Sequence, residues 1–265
     1  MSQDEILVLC GCLFAGVVSW SWWYWQTMTV ARFARSRVAR RWLIFAPPLC
    51  AVLLYGVLRT WAAEDVRHDP RYLGFYIAMG AAWVGLAKAG LPLLGLSVRD
   101  DVLERGNRAA GMAIGGALLG LTLCFAGGNI GDGPGWWVVV FAAAMATGTS
   151  FLLWGILDRF AGMTEKITVD RDVAAGLRAA GLFVGLGLIL GRAVAGNWVS
   201  AGSTLADFAR RGWPALLLLA LVGFVERAAR PATDRDLRST LVVGVVPALL
   251  QVLLGCVTVL LMGKW

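Results

Sequence analysis

The stretch that decides the fold is "NRAAGMAIGGALLGLTLCFA", Asn107–Ala126. Its twenty residues carry one charge, Arg108, at the second position. An α-helix rises about 1.5 Å per residue, so as a helix this stretch is about as long as the hydrocarbon core of a bilayer is thick. A helix pairs its own backbone groups inside that core, whereas an open strand leaves them unpaired. The stretch therefore predicts a transmembrane helix.

Seven further apolar runs lie on either side of this one. The shortest, Trp213–Val225, reaches spanning length only if Thr204–Arg211 adds a turn or two of helix. None shows the alternating ten-residue pattern of a barrel strand. We therefore predict an all-α polytopic membrane protein with about eight transmembrane helices. The runs are Ile6–Trp25, Trp42–Trp61, Tyr72–Val98, Asn107–Ala126, Trp136–Leu157, Val173–Val194, Trp213–Val225 and Leu237–Met262.

The chain carries too few charges for a protein surrounded by water. Of its 265 residues, 58% are hydrophobic and 15% are charged, whereas a soluble domain has about 25% charged residues. The net charge of +7 would suggest nucleic-acid binding in a soluble protein. Here most arginines lie in short loops, and no basic face is large enough to follow a phosphate backbone. We expect the lipid bilayer, and no nucleic acid, as a partner.

The sequence offers no set of residues typical of a metal site or of hydrolysis. The five cysteines lie inside apolar runs without a CxxC pair, and the single histidine is His68. A structural zinc site needs about four clustered ligands. There is also no HExxH or GxGD motif. We expect no metal, no cofactor and no enzymatic activity.

The distribution of positive charge predicts the orientation. Of the 24 Lys and Arg residues, 16 lie in the loops that follow the first, third, fifth and seventh runs or in the first turns of the runs after them, seven lie on the other side, and Lys88 lies well inside a run. Loops rich in Lys and Arg stay in the cytoplasm. Both termini are therefore predicted to lie outside the cytoplasm. Because Asp4 and Glu5 stand where a signal peptide has basic residues, we expect the first run to be retained.

The cluster "WSWWYWQ", Trp20–Gln26, ends the first run beside an arginine-rich segment. Indole rings favour the headgroup level, and arginine favours anionic lipids of the inner leaflet. The cluster thus predicts lipid-interface anchoring at the cytoplasmic face. An aromatic cage for a cationic ligand is the alternative, which we expect to need ring faces from more than one helix. The predicted anchors are Trp20, Trp22, Trp23, Trp25, Arg32, Arg35, Arg37, Arg40 and Arg41.

The chain repeats itself at an offset of 70 residues. "GNRAAGMAIGG" begins at Gly106 and "GLRAAGLFVGL" begins at Gly176, and a fainter copy, "LRSTLVVG", begins at Leu237. Each unit predicts a helix entering the cytoplasm, a charged loop and a small-residue helix returning, which gives three parallel helix-pair repeats. The motif residues are Gly106, Asn107, Arg108, Gly111 and Gly115 in the first copy and Gly176, Arg178, Gly181 and Gly185 in the second.

Three segments resemble the domain of unknown function 350 family over about residues 72–265. They are "ERGNRAAGMAIGGALLGL", "DRDVAAGLRAAGLFVGLGL" and "STLADFARRGWPALLLL". The resemblance implies a bacterial inner-membrane protein of repeated helix pairs, from a family without an established activity that is often associated with envelope stress. Leu177 replaces the motif asparagine in the second copy, so only Asn107 is carried over. We divide the chain into an N-terminal helix pair, 1–71, and a three-repeat domain, 72–265.

The motif glycines form small-xxx-small patterns, such as Gly111 with Gly115 and Gly181 with Gly185. Such patterns let helix backbones approach closely in lipid. We expect tight packing within one chain. A symmetric pore or oligomer lined by the fourth, sixth and eighth runs is the alternative.

Lys88 is the one basic residue well inside a run, and intramembrane charges are costly and often functional. Pro92 removes the amide that would bond the Lys88 carbonyl, which predicts a kink. Lys88 either extends its ammonium toward the headgroups or forms a polar site. Asp158 and Glu226 are possible partners from other repeats, and Gln251 is a further intramembrane polar residue.

The sequence leaves two functional hypotheses. The first is a membrane scaffold or envelope-stress component that presents its basic face to anionic lipids or a soluble cytoplasmic partner. The second is a channel or transporter for a small ion or solute with a path near Lys88. Homo-oligomerisation is compatible with both. Asn107 is expected to cap the fourth helix, and the loop acids to form solvated caps and ion pairs.

Overall fold

A computed structural model of the chain describes residues 1–29, 37–229 and 236–263. Every regular element in these ranges is helical. Eight helices are long and apolar enough to cross a membrane. The prediction of an all-α, multi-pass membrane protein is confirmed.

Twelve α-helices are assigned in the described ranges, and three segments of 3₁₀ or π geometry interrupt or extend them. The helices are α1 (Gln3–Thr29), α2 (Arg37–Trp61), α3 (Glu64–His68), α4 (Pro70–Ala87), α5 (Arg108–Gly127), α6 (Trp136–Ala161), α7 (Met163–Thr168), α8 (Val173–Val194), α9 (Ala201–Gly212), α10 (Pro214–Ala228), α11 (Leu237–Thr240) and α12 (Val246–Leu261). A 3₁₀ helix covers Lys88–Leu94, and π-helical turns cover Val98–Glu104 and Leu241–Val245.

The third spanning helix changes geometry where the sequence predicts a kink. It is α-helical to Ala87 and continues as a 3₁₀ helix from Lys88. Pro92 lies inside the 3₁₀ segment, which ends at Gly95 with φ 78°. Proline has no amide hydrogen to donate to the Lys88 carbonyl, and its ring clashes with the preceding turn, so the regular α-helical hydrogen bonding is interrupted here.

The seventh span includes the extension that its short apolar run requires. Helix α9 brings the polar segment before Trp213 into helical form, and α10 follows directly with Pro214 at its first turn. Together they cover Ala201–Ala228.

Helices α5 and α8 form the centre of the molecule. In the most apolar 18-residue segment of each helix, 83% of the residues of α5 and 72% of those of α8 are buried, against 11% in α1. The two helices meet through glycines: Gly116 faces the backbone of Ala180, Gly120 faces that of Phe183, and Gly127 faces that of Gly191. A Cβ on any of these glycines would overlap the facing backbone. The small residues therefore let two helix backbones touch.

Two rows of helices are built around this contact. Helix α2 packs on α5 and α12 packs on α8, which gives the row α2, α5, α8, α12. Helix α1 packs on α4 and α10 packs on α6. Trp83 of α4 donates to the Thr147 hydroxyl of α6 at 3.1 Å, which gives a second row of α1, α4, α6 and α10. Gly115 faces Trp42 of α2, and Gly181 and Gly185 face Gln251 of α12. The motif glycines thus serve packing within the chain, and the close contact of α5 with α8 leaves no lumen between these two helices.

Several hydrogen bonds join residues separated by 60 to 66 positions. The indole nitrogen of Trp20 donates to the Ala81 carbonyl at 2.9 Å, and that of Trp154 donates to the Leu94 carbonyl at 3.2 Å. Near the other ends of the helices, the Gly196 amide donates to the Ile130 carbonyl at 2.8 Å. Each bond connects a helix pair to the one before it.

Candidate functional site

The strongest concentration of buried charge surrounds Glu226, near the end of α10. Its side chain is fully buried. The carboxylate accepts hydrogen bonds from two nitrogens of Arg178, with Nε donating to Oε1 and Nη2 donating to Oε2 at 2.9 Å. Arg178 lies in the second turn of α8 and is also fully buried. The result is a bidentate arginine–carboxylate pair, the strongest geometry available to these side chains.

Lys166 of α7 joins this pair from the side. Its Nζ donates to the Glu226 carbonyl oxygen at 2.6 Å and to Oε2 at 3.3 Å. The third nitrogen of the Arg178 guanidinium, Nη1, donates to the Val243 carbonyl at 2.7 Å. We call Lys166, Arg178 and Glu226 the Glu226 cluster. It connects α7, α8 and α10 with the π-helical turn before α12.

The electrostatics of the Glu226 cluster favour a structural role over a catalytic one. Two cations and one carboxylate leave a formal charge of +1 in a buried place, and such charges are tolerated only when they are paired and hydrogen-bonded. Both carboxylate oxygens accept bonds from cations. Because both oxygens are already engaged by cations, the carboxylate is poorly placed to act as a general base.

Lys88 lies elsewhere, against α1. Its Nζ donates to the Ser19 carbonyl at 3.3 Å and lies 5.2 Å from the ring centroid of Trp20 and 5.6 Å from that of Trp23. Cation–π contacts of this kind stabilise a partly buried ammonium. Trp20 and Trp23 are three residues apart, so α1 presents both rings on one face. The cation that they contact is a lysine of the same chain.

The structure does not bring Asp158 or Glu226 to Lys88. Asp158 Oδ1 accepts from the Thr164 amide at 2.6 Å and so caps the start of α7. Glu226 belongs to its own cluster, and Lys88 contacts the preceding helix pair instead. The three residues nevertheless hold matching positions, three residues after Gly85, Gly155 and Gly223. This shared spacing can be read from the sequence, but it does not indicate which partner each residue has.

Gln251 is buried in the contact between α12 and α8, also away from Lys88. It is 4% exposed, and its Oε1 has no hydrogen-bond partner among the described residues. The atom lies beside Gly181, where a side chain in place of the glycine hydrogen would displace it.

The two arginines of the repeat motif have different surroundings. Arg178 is fully buried with Glu226, whereas Arg108 is exposed. Arg178 was named as a residue of the repeat motif and Lys166 was counted among the loop charges, but the sequence did not predict that either would pair with Glu226. Arg178, like Arg108, lies among small residues near the start of an otherwise apolar helix, so the sequence does not distinguish the buried arginine from the exposed one.

Asn107 caps α5, as expected, and also bonds to a neighbouring helix. Its Oδ1 accepts from the amides of Ala109 and Ala110 at 3.0 and 3.2 Å, which caps α5. Its Nδ2 donates to the Ile167 carbonyl at 2.7 Å, so it also binds helix α7. Gly106 precedes it with φ 65°, a left-handed conformation that glycine adopts without strain. Further along the motif, Gly111 is buried, and Gly176 faces the backbone of Ala109.

The predicted interface anchors separate into two pairs. Trp22 and Trp25 are 53% and 55% exposed and stack on each other, as residues at a lipid interface can. Trp23 is buried and donates from its indole nitrogen to the Leu43 carbonyl at 3.0 Å, and Trp20 bonds to α4. Arg32 and Arg35 lie outside the described residues. Arg37, Arg40 and Arg41 belong to the start of α2, and their side chains are not described.

Comparison with known proteins adds one similarity. The family model described as "Domain of Unknown Function (DUF350)" matches residues 71–194. This range covers α4 to α8, and the predicted resemblance extended further, to residue 265. No curated protein and no solved structure matches the chain.

Proposed function

Since residues 71–194 belong to the DUF350 family, whose description gives no activity, we propose a function from the geometry. The protein is a non-catalytic membrane scaffold of the bacterial inner membrane. It presents its basic face to anionic lipids or to a soluble cytoplasmic partner, with both termini on the other side. A part in the envelope-stress response follows from the family resemblance and belongs to the same proposal.

The Glu226 cluster is the observation that carries this proposal. It fastens α10 to the preceding helix pair through charged hydrogen bonds from Lys166 and Arg178. Backbone contact between α5 and α8 fixes these two central helices to each other. Two rows fixed in this way favour a rigid platform over a protein that works by large relative motion of its helices.

The predicted repeat is part of the proposal and explains why the platform has this form. Bonds between residues 60 to 66 positions apart are what neighbouring copies of one helix pair would make. Arrays of this kind present one continuous surface. Apart from the buried Lys166 and Arg178, the Lys and Arg residues of the basic loops would then lie along that surface.

The test measures lipid retention and ion flux on the same preparation. We expect the purified protein to retain anionic over zwitterionic lipid, as measured by lipid mass spectrometry, because exposed arginines attract anionic headgroups. Replacing the five arginines between the first two spans by glutamine should remove that preference and leave the protein folded. Equal retention of anionic lipid by both proteins would contradict the proposal.

Transport near Lys88 remains the second candidate because of one observation. The third span changes from α-helix to 3₁₀ helix at Lys88, and interrupted helices often line transport sites. A path for a polar solute would need polar side chains within the spans, such as the threonines. Thr122 donates to the Leu118 carbonyl at 2.8 Å, and Thr147 accepts from Trp83 at 3.1 Å. Because both hydroxyls form hydrogen bonds within the protein, they do not by themselves indicate a hydrated path.

A liposome flux assay separates the two candidates. The scaffold predicts no passage of small ions above that of protein-free liposomes, for the wild type and for Lys88→Met alike. Passage by the wild type that Lys88→Met abolishes would establish the transport path and overturn the scaffold.

A further inference from the structure

A cavity of about 200 Å³ opens at the face opposite the basic loops. It lies where the loop between α5 and α6 meets the short helix α3 and the segment after α8. Its polar lining comes from Asp65, Tyr76, Asn129 and Asp132, and glycines supply much of the remaining wall. None of these residues belongs to the Glu226 cluster or to the surroundings of Lys88.

The wall of this cavity is held in place by hydrogen bonds to another loop. The Asp132 amide donates to Asn197 Oδ1 at 2.9 Å, and the Trp198 amide donates to the Asp132 carbonyl at 2.8 Å. Gly131, with φ 109°, packs directly on the backbone of Gly196. The glycine-rich loop 127–135 is therefore fixed before any ligand arrives, which lowers the entropic cost of binding.

Asn129 supplies the observation that points to a ligand. The residue is 4% exposed and lines the cavity. Its Nδ2 donates to the Phe125 carbonyl at 2.8 Å, which fixes the orientation of the amide. Its Oδ1 has no hydrogen-bond partner among the described residues. A buried carbonyl oxygen without a donor is costly, and a bound cation would satisfy it.

The charge of the cavity indicates the kind of cation. Asp65 and Asp132 contribute two carboxylates, and neither forms an ion pair with any residue in the described ranges. The carboxylates, the Asn129 amide oxygen and the Tyr76 hydroxyl all offer oxygen. Oxygen ligands without nitrogen or sulfur suit hard cations such as Ca²⁺ and Mg²⁺. A cavity of about 200 Å³ holds a cation with several waters, since each water occupies about 30 Å³.

From these observations we propose that the cavity binds one hydrated divalent cation, Ca²⁺ or Mg²⁺. The Asn129 amide oxygen is its buried ligand, and the carboxylates of Asp65 and Asp132 balance its charge at the mouth. A site that retains water and has few protein ligands would bind with a dissociation constant of about 0.1–1 mM, as extracellular Ca²⁺ modules do. The proposal requires neither the scaffold function nor transport.

Calorimetry on the full-length protein in detergent tests the proposal, after removal of metals with a chelator. CaCl₂ and MgCl₂ are each titrated at constant ionic strength, with NaCl as the monovalent control. We expect saturable binding of one divalent cation per chain and no saturable binding of Na⁺. Asp132→Asn should weaken the binding at least about tenfold, as the loss of a metal-site partner commonly does.

Glu64→Gln is the matched control, because Glu64 lies beside Asp65 in α3 but does not line the cavity. It removes the same charge and should leave the affinity unchanged. Asp65 and Asp132 are exposed, so their variants are expected to fold, and an unchanged thermal midpoint without metal would show this. Absence of saturable divalent binding up to about 10 mM, well above the millimolar range of weak Ca²⁺ sites, would overturn the proposal. Equal weakening by Glu64→Gln would overturn it too.

Discussion

The environment of a charged residue in this protein depends on which helix packs beside it. Lys88, Asp158 and Glu226 hold matching positions, yet one contacts tryptophan rings, one caps a helix and one pairs with Arg178. Only Glu226 is fully buried. Its environment comes from α7 and α8, so its importance is a property of the assembled fold.

Glu226→Gln should destabilise the protein strongly. The substitution leaves Arg178 and Lys166 close together and buried without a counter-charge, which costs about 3–5 kcal/mol when a buried pair is broken. The measurement is thermal unfolding in detergent, and the midpoint should fall clearly. Asp158→Asn is the matched control, because asparagine can still accept from the Thr164 amide.

The double variant Glu226→Gln with Arg178→Met separates the cost of an unpaired buried charge from the cost of altered packing. Removing the unpaired guanidinium should restore part of the lost stability, because the remaining polar groups no longer face a second buried cation. If Glu226→Gln behaves like Asp158→Asn, the Glu226 cluster is not the fastening that we describe.

At the scale of helices, the contact between α5 and α8 depends on missing side chains. Gly116, Gly120 and Gly127 recur along one face of α5 and each meets backbone of α8. Lipid provides no hydrophobic drive for helices to associate, so this close approach and the dispersion contacts that it permits hold the centre together.

Gly120→Ala should separate these helices and lower stability by about 1–3 kcal/mol, the usual cost of overfilling a packed site. The added methyl group would overlap the Phe183 carbonyl, and backbone cannot move aside as a flexible side chain can. Thermal unfolding in detergent measures the effect.

Gly148→Ala is the control for this substitution. A Cβ at Gly148 meets no atom within 4 Å, and alanine favours helix over glycine by about 0.5–1 kcal/mol. This variant should be neutral or slightly more stable. Equal loss of stability in both variants would show that glycine matters here for reasons other than close packing.

At the scale of the whole molecule, the region matched by the family model is not the whole packed unit. That region ends at Val194 with α8, yet α8 is covered on one side by α12 and holds Glu226 of α10. On the other side, α2 covers α5. The matched helices are therefore the centre of a larger assembly that includes both ends of the chain.

The predicted orientation can be tested with reporter fusions. A fluorescent protein that matures only in the cytoplasm should stay dark after Trp265 and be bright after Asp170, in the loop between the fifth and sixth spans. The physical reason is the excess of Lys and Arg on that side. Fluorescence after Trp265 would reverse the orientation or change the number of spans.

The sequence alone determined that hydrocarbon surrounds this chain and where the chain crosses it. The thickness of the bilayer restricts each crossing to a run of about 20 apolar residues, which can be read locally along the sequence. For the same reason the kink at Lys88 and the cap at Asn107 were predictable, since Pro92 and the first turn of α5 lie a few residues away.

The tertiary structure decided which polar groups lie together. Glu226 meets Arg178 from 48 positions away, Lys88 meets Ser19 from 69, and the cavity around Asn129 draws its walls from four separate segments. Burial and pairing of charge are set by neighbours that no local pattern specifies. The sequence showed which charges lie within an apolar run, whereas the partner of each charge was fixed only when the helices packed.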